Sequence, residues 1–161
     1  MKAGQFQVQK ELSDEYLLAL GVYVQTCARI ELWAARLISL TGGMKRGDPD
    51  FMTEVDELRT GHTPKLVDSL KQSLETLAAQ GSSNHALLAI SAQIDDHMKR
   101  RNAAVHGVHS SHEGWIVIDT GEKPKIERPK ALALDANTIR ATVADAERIL
   151  QLLRGFCEQS G

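Results

Sequence analysis

Arg101, Asn102, His106 and Glu31 have the residue types and spacing for proton transfer and for holding an anion. Arg101 stands where a leucine is expected. Ala86 to His106 reads as a helix in which Leu87, Ile90, Ile94, Met98 and Val105 recur at helical spacing. At about 100° per residue these five span a wedge of roughly 80°, with Arg101 near its middle. A guanidinium keeps its proton in a protein, so a core stripe tolerates it only when it is paired or solvated in a pocket. Glu31 lies, by the same angular count, near the centre of the stripe on the first long helix. The simplest resolution is that the two meet in a bidentate pair. That pair can be purely structural, or it can support chemistry.

Asn102 and His106 favour chemistry. They are four residues apart and stack on one helix edge beside the apolar stripe, with Gly107 closing the helix after them. An imidazole that titrates near neutrality, an amide to orient it and a fixed cation form an acid–base site suited to a phosphodiester. Arg101 would balance charge on a phosphorane-like transition state. For His106 taken alone, a satisfied helix cap is the competing reading.

His97, Lys99, Arg100, Arg101, His106, His109 and His112 gather positive or titratable groups around one helix end. Lys99, Arg100 and His109 are thereby candidate RNA-binding residues. A solvated basic face partly neutralised by Asp95 and Asp96 is the plainer account of the same residues. His106, His109 and His112 have no cysteine or acidic ligand in register, so neither a metal nor another cofactor is expected.

These side chains need a helical scaffold. Aromatics are only 4% of the 161 residues, so leucine and alanine must fill the core, which favours helices over a sandwich or barrel. Ser13 opens a first helix that runs through Leu17, Leu20, Val24, Cys27, Ala35 and Ile38 to Thr41, where Gly42-Gly43 stops it. A short amphipathic piece spans Phe51 to Leu58. Thr63 caps a second long helix with Pro64 at its first position, carried by Leu66, Leu70, Leu74 and Leu77. Ser83 or Asn84 caps the helix bearing Arg101. Trp115 to Ile118 is strand-like, Thr120 to Pro124 a turn, and Lys125 to Leu134 returns as one or two short strands, with Pro129 marking an edge position. Asp135 caps a last helix carrying Ile139, Val143, Ala146, Leu150, Leu153 and Cys157.

The expected fold is therefore all-α, an antiparallel bundle of four main helices with a short β-hairpin between the third and fourth. Residues 1–161 form one domain with the hairpin inserted at about 113–134. The formal net charge of −2 excludes a global polyanion-attracting field, leaving only a local patch. Cys27 and Cys157 read as buried reduced thiols. Met1 to Glu11 lacks the apolar core of a signal peptide, and no apolar run approaches the roughly 20 residues that span a bilayer. A cytoplasmic chain with no membrane partner is expected.

Arg101-Asn102-Ala103-Ala104-Val105-His106 resembles the Rx4-6H signature of the HEPN superfamily, including the asparagine often found after the arginine. The glycine that follows is similar to that of bacterial HEPN toxins paired with nucleotidyltransferase antitoxins. The resemblance implies a metal-independent endoribonuclease, a toxin or defence effector acting on RNA as a homodimer, with a nucleotidyltransferase-type antitoxin as a possible partner. It assigns acid–base work to His106, the scissile phosphate to Arg101 and a supporting role to Asn102. The alternative is a non-catalytic module that binds a nucleotide or a protein.

Overall fold

The computed structural model describes residues 12–81, 85–106, 108–112, 115–119 and 136–159. Five helices occur among them: α1 (Asp14–Thr41), α2 (Phe51–Thr60), α3 (Thr63–Ala79), α4 (His85–His106) and α5 (Ala136–Gln159). Between α4 and α5 lie strands β1 (Val108–His112) and β2 (Trp115–Asp119). Among the described residues no helix is long and apolar enough to cross a membrane.

α1 starts where the Ser13 side chain accepts the Tyr16 N–H at 3.2 Å, with Asp14 and Glu15 at the positive end of the helix dipole. It ends where Gly42 donates its N–H to the Ile38 carbonyl, and Gly43 turns the chain at φ +99°, a conformation a side chain would strain. α1 touches all four other helices. It is therefore buried on several sides: Tyr16, Tyr23, Cys27, Ile30, Ala34, Ala35 and Leu37 all lie inside. A one-face stripe is the wrong description of a central helix, and Leu17, expected inside, is exposed while Tyr16 takes its place.

The main core joins Ile30 and Leu37 of α1 to Leu70 and Leu74 of α3, Ile90, Ile94 and Met98 of α4, and Ile149 and Leu153 of α5. α2 adds a satellite cluster, packing Phe51 and Val55 against Ala35 and Leu66. The expected antiparallel order needs correction. Arg140 in the first turns of α5 pairs with Glu15, and Cys157 at its end bonds the Trp33 carbonyl, so α5 runs in the same direction as α1. α4 runs against α5, through the pairs Gln93–Arg148 and His97–Asp145. α2 provides the extra reversal that a four-helix count leaves out.

The hairpin also differs from expectation. Trp115–Asp119 pairs with Val108–His112, in the register Val108↔Asp119 to His112↔Trp115, rather than with residues 125–134. Only two residues separate the paired strands, so closing that loop costs less chain entropy than closing one over the Thr120–Pro124 turn. His109 and His112 therefore belong to a strand, not to a Ser-rich loop. The expected return strand and the caps at Ser83, Asn84 and Asp135 lie outside the described residues.

Candidate functional site

Tyr23, Cys27 and Glu31 succeed one another every four residues on α1, which aligns them on one helix face. His97 and Arg101 do the same on α4, and the two rows meet. At one end of this seam the Arg101 Nη2 donates to the Glu31 Oε1 at 2.5 Å. The side chains are 23% and 16% exposed, so the pair is mostly withdrawn from water. The contact is single rather than the expected bidentate one, and Oε1 also receives the Thr63 hydroxyl at 3.5 Å. That explains a second departure. His62, not Thr63, is the N-cap of α3, because the Thr63 hydroxyl points to Glu31 instead of back to its own helix.

Arg101 keeps further hydrogen-bonding capacity. Its Nη2 also approaches the Met98 sulfur at 3.9 Å, and its Nε is buried without a partner. With Nη2 on Glu31 and Nε buried, Nη1 is the guanidinium nitrogen left to donate to an oxyanion.

The apolar stripe stops at Arg101. Ile90, Ile94 and Met98 are buried, whereas Val105, expected in the same stripe, is 50% exposed. The last turn of α4 leans instead on Tyr16 and Ile139 through Ala103, and Ala104 is buried beside it. The final turn thus carries Asn102, Val105 and His106 outward into solvent. Arg101 and His106, five residues apart, diverge by about 140° on the helix, so one chain does not close a pocket around both. Lys99 is exposed and bonded to Asp95 at 2.5 Å, with its ammonium pKa raised by that carboxylate. Arg100 is also exposed. His109 sits in β1, and its side chain is outside the described residues.

Sequence reading misplaced His97 and missed its partners. His97 is buried rather than part of the basic surface. Its Nδ1 is 2.9 Å from the Tyr23 hydroxyl, and its Nε2 is 2.8 Å from the Asp145 Oδ2. The Tyr23 hydroxyl is also 3.2 Å from the His97 carbonyl, which it can reach as donor. Arg148 completes the chain, bonding Asp145 at 3.0 Å and Gln93 at 2.7 Å. One polar line therefore ties α1, α4 and α5 together one turn before Arg101. The signal was present: His97 lies seven residues after Ile90, about 20° from it on the helix wheel.

Burial raises the Tyr23 hydroxyl pKa and pushes the Cys27 thiol up to about 11, so both stay protonated beside Arg101 near neutral pH. The His97 hydrogen bond, assisted by Arg148, holds the Asp145 carboxyl below the usual carboxylate range against the opposing effect of burial. Because the folded-state value is depressed, this contribution to stability is present above about pH 4 and is lost as pH falls further. The melting temperature is therefore expected to drop on acidification from pH 6 to pH 3, and Asp145→Asn to drop less. Equal losses in the two proteins would remove Asp145 from the account.

The chain matches no family model, no curated protein and no solved structure.

Proposed function

We propose that this chain is a metal-independent endoribonuclease of HEPN type. The observation that carries the reading is Arg101, held by Glu31 with part of its guanidinium open, followed on the same helix by solvent-facing Asn102 and His106. In the proposed reaction His106 takes the proton of an RNA 2′-hydroxyl. The 2′-oxygen attacks the adjacent phosphorus and the bond to the 5′-oxygen breaks. The imidazolium so formed gives a proton to the leaving oxygen, which yields a 2′,3′-cyclic phosphate and a 5′-hydroxyl. Arg101 balances charge on the non-bridging oxygens, and Asn102 orients the imidazole or the phosphate. Arg100, Lys99 and His109 are assigned to the RNA backbone on either side. A cytoplasmic toxin or defence effector, restrained by a nucleotidyltransferase-type antitoxin, fits this activity.

Cleavage is expected to persist in excess chelator and to spare DNA, which lacks the attacking hydroxyl. Chelator-sensitive cutting, or equal cutting of DNA, contradicts the mechanism. The partial burial of Arg101 beside Glu31 favours a second reading, a non-catalytic module that binds a nucleotide or a protein. An intact fold with no cleavage under any condition decides for it.

The reading includes a homodimer in which two Arg101/His106 motifs share a cleft, because the divergence on one helix leaves each site half built. Leu18 and Val22 of α1 are exposed, but they line a groove with Arg140 and Glu147 of α5 and not the Arg101 seam. Sedimentation at micromolar concentration is expected to show a dimer. A wild-type monomer with full activity rules out the shared site.

A further inference from the structure

Trp33 and Glu31 are two residues apart on α1 and so point about 160° apart. On the Trp33 side, away from the Arg101 seam, a cavity of about 200 Å³ is lined by Trp33, Arg36, Leu40, Arg46, Phe51, Met52 and Cys157. Its walls are apolar and partly aromatic, yet two guanidiniums, those of Arg36 and Arg46, line it. Arg36 lies over the Trp33 indole at 4.6 Å and Arg154 over the same ring at 5.4 Å. Arg46 reaches from the loop before α2 to the Cys157 carbonyl in the last turn of α5.

Among the described residues no carboxylate forms an ion pair with Arg36, Arg46 or Arg154. Glu158, next to Cys157 on α5, is exposed, and Asp48 and Asp50 follow Arg46 in its loop. The Arg36 Nε is buried without a hydrogen-bond partner. A buried N–H donor without an acceptor is unfavourable, and a concentration of cations beside flat apolar walls suits an anion that carries its own flat apolar group. Stacking on an aromatic plate combined with arginine contacts to phosphate is the general way single nucleotides are held.

We propose that this cavity binds a phosphate ester carried on a nucleobase: a free nucleoside monophosphate or the 5′-phosphorylated end of an RNA. Arg36 leaves the Trp33 ring, over which it lies, to take the phosphate with Arg46, and the base takes its place against Trp33 beside Phe51. The size of the cavity suits the phosphate and part of one nucleotide, not a dinucleotide. The site is separate from the proposed cleavage site and does not depend on it.

The test uses the full chain with Trp115→Phe, which leaves Trp33 as the sole tryptophan of the two. AMP is expected to change the Trp33 fluorescence saturably at or below about 1 mM. Adenosine and inorganic phosphate are expected to bind at least about tenfold more weakly, since each lacks one half of the recognised group. Arg36→Gln is expected to weaken AMP by about tenfold or more; Arg46→Gln, in an exposed loop position, does the same should Arg36→Gln fail to fold. Tighter binding of 5′-phosphorylated oligoadenylate than of AMP identifies the RNA end as the ligand, and the reverse identifies the free nucleotide. His106→Ala is expected to leave binding intact. No saturation by either nucleotide probe, equal binding of adenosine or phosphate alone, or unchanged affinity in both folded arginine variants overturns the proposal.

Discussion

Replacing Glu31 with alanine is expected to lower the free energy of unfolding by about 3 kcal/mol, the low end of the range for breaking a buried ion pair. The low end applies because Arg101 keeps 23% of its side-chain surface in water, through which the stranded charge is partly solvated. The loss comes less from the missing attraction than from the cation left behind, with its Nε already buried and unpartnered. Glu31→Gln is expected to lose less, since an amide oxygen still accepts from Nη2. Replacing both partners with apolar residues of similar volume is expected to recover much of the stability, because no charge is then buried. Urea denaturation of the two single variants and the double variant measures this. A Glu31→Ala protein as stable as wild type shows that Arg101 finds water without its partner.

The second large effect concerns activity. His106→Ala is expected to reduce RNA cleavage by roughly 100- to 10,000-fold, the usual contribution of one acid–base residue, while leaving the melting temperature nearly unchanged. The separation follows from position: His106 is exposed on the last turn of α4, so its truncation removes no core contact. Arg101→Lys is expected to fail as well, since a point charge on a flexible stem cannot both hold Glu31 and donate to phosphate from a separate nitrogen. Glu31 and Arg101 variants thus change stability and activity together, whereas His106 changes activity alone. A fully active His106→Ala protein ends the assignment of this histidine to proton transfer.

Helix positions were largely legible because their signals are local. Ser13, Gly42-Gly43 and Pro64 mark helix ends through backbone chemistry that needs no neighbour, and both ends of α1 and the start of α3 fall within a residue or two of those marks. The Arg101–Glu31 contact was legible for a different reason. Two opposite charges in the middle of apolar stripes have few partners other than one another, although 70 residues separate them. The hairpin was half legible: Trp115–Asp119 declares itself by its apolar β-branched run, but a strand does not name its partner, and Val108–His112 carries no apolar pattern.

What the sequence alone determined, then, is local periodicity, the helix caps and the presence of charges that demand pairing. The tertiary structure decided which faces are buried. α1 is enclosed by four neighbours, so Tyr16 and Tyr23 go inside while Leu17 stays out. The last turn of α4 packs through Ala103 and Ala104, so Val105 faces water although the stripe points it inward. The same packing turned His97 from a surface cation into a buried link between Tyr23 and Asp145. It also brought Arg36, Arg46 and Arg154, from three separate segments, around one end of α5. Periodicity gives the angle of a side chain about its own helix axis. Burial also depends on where other helices start, stop and cross, and those positions are set by contacts between residues far apart in the chain.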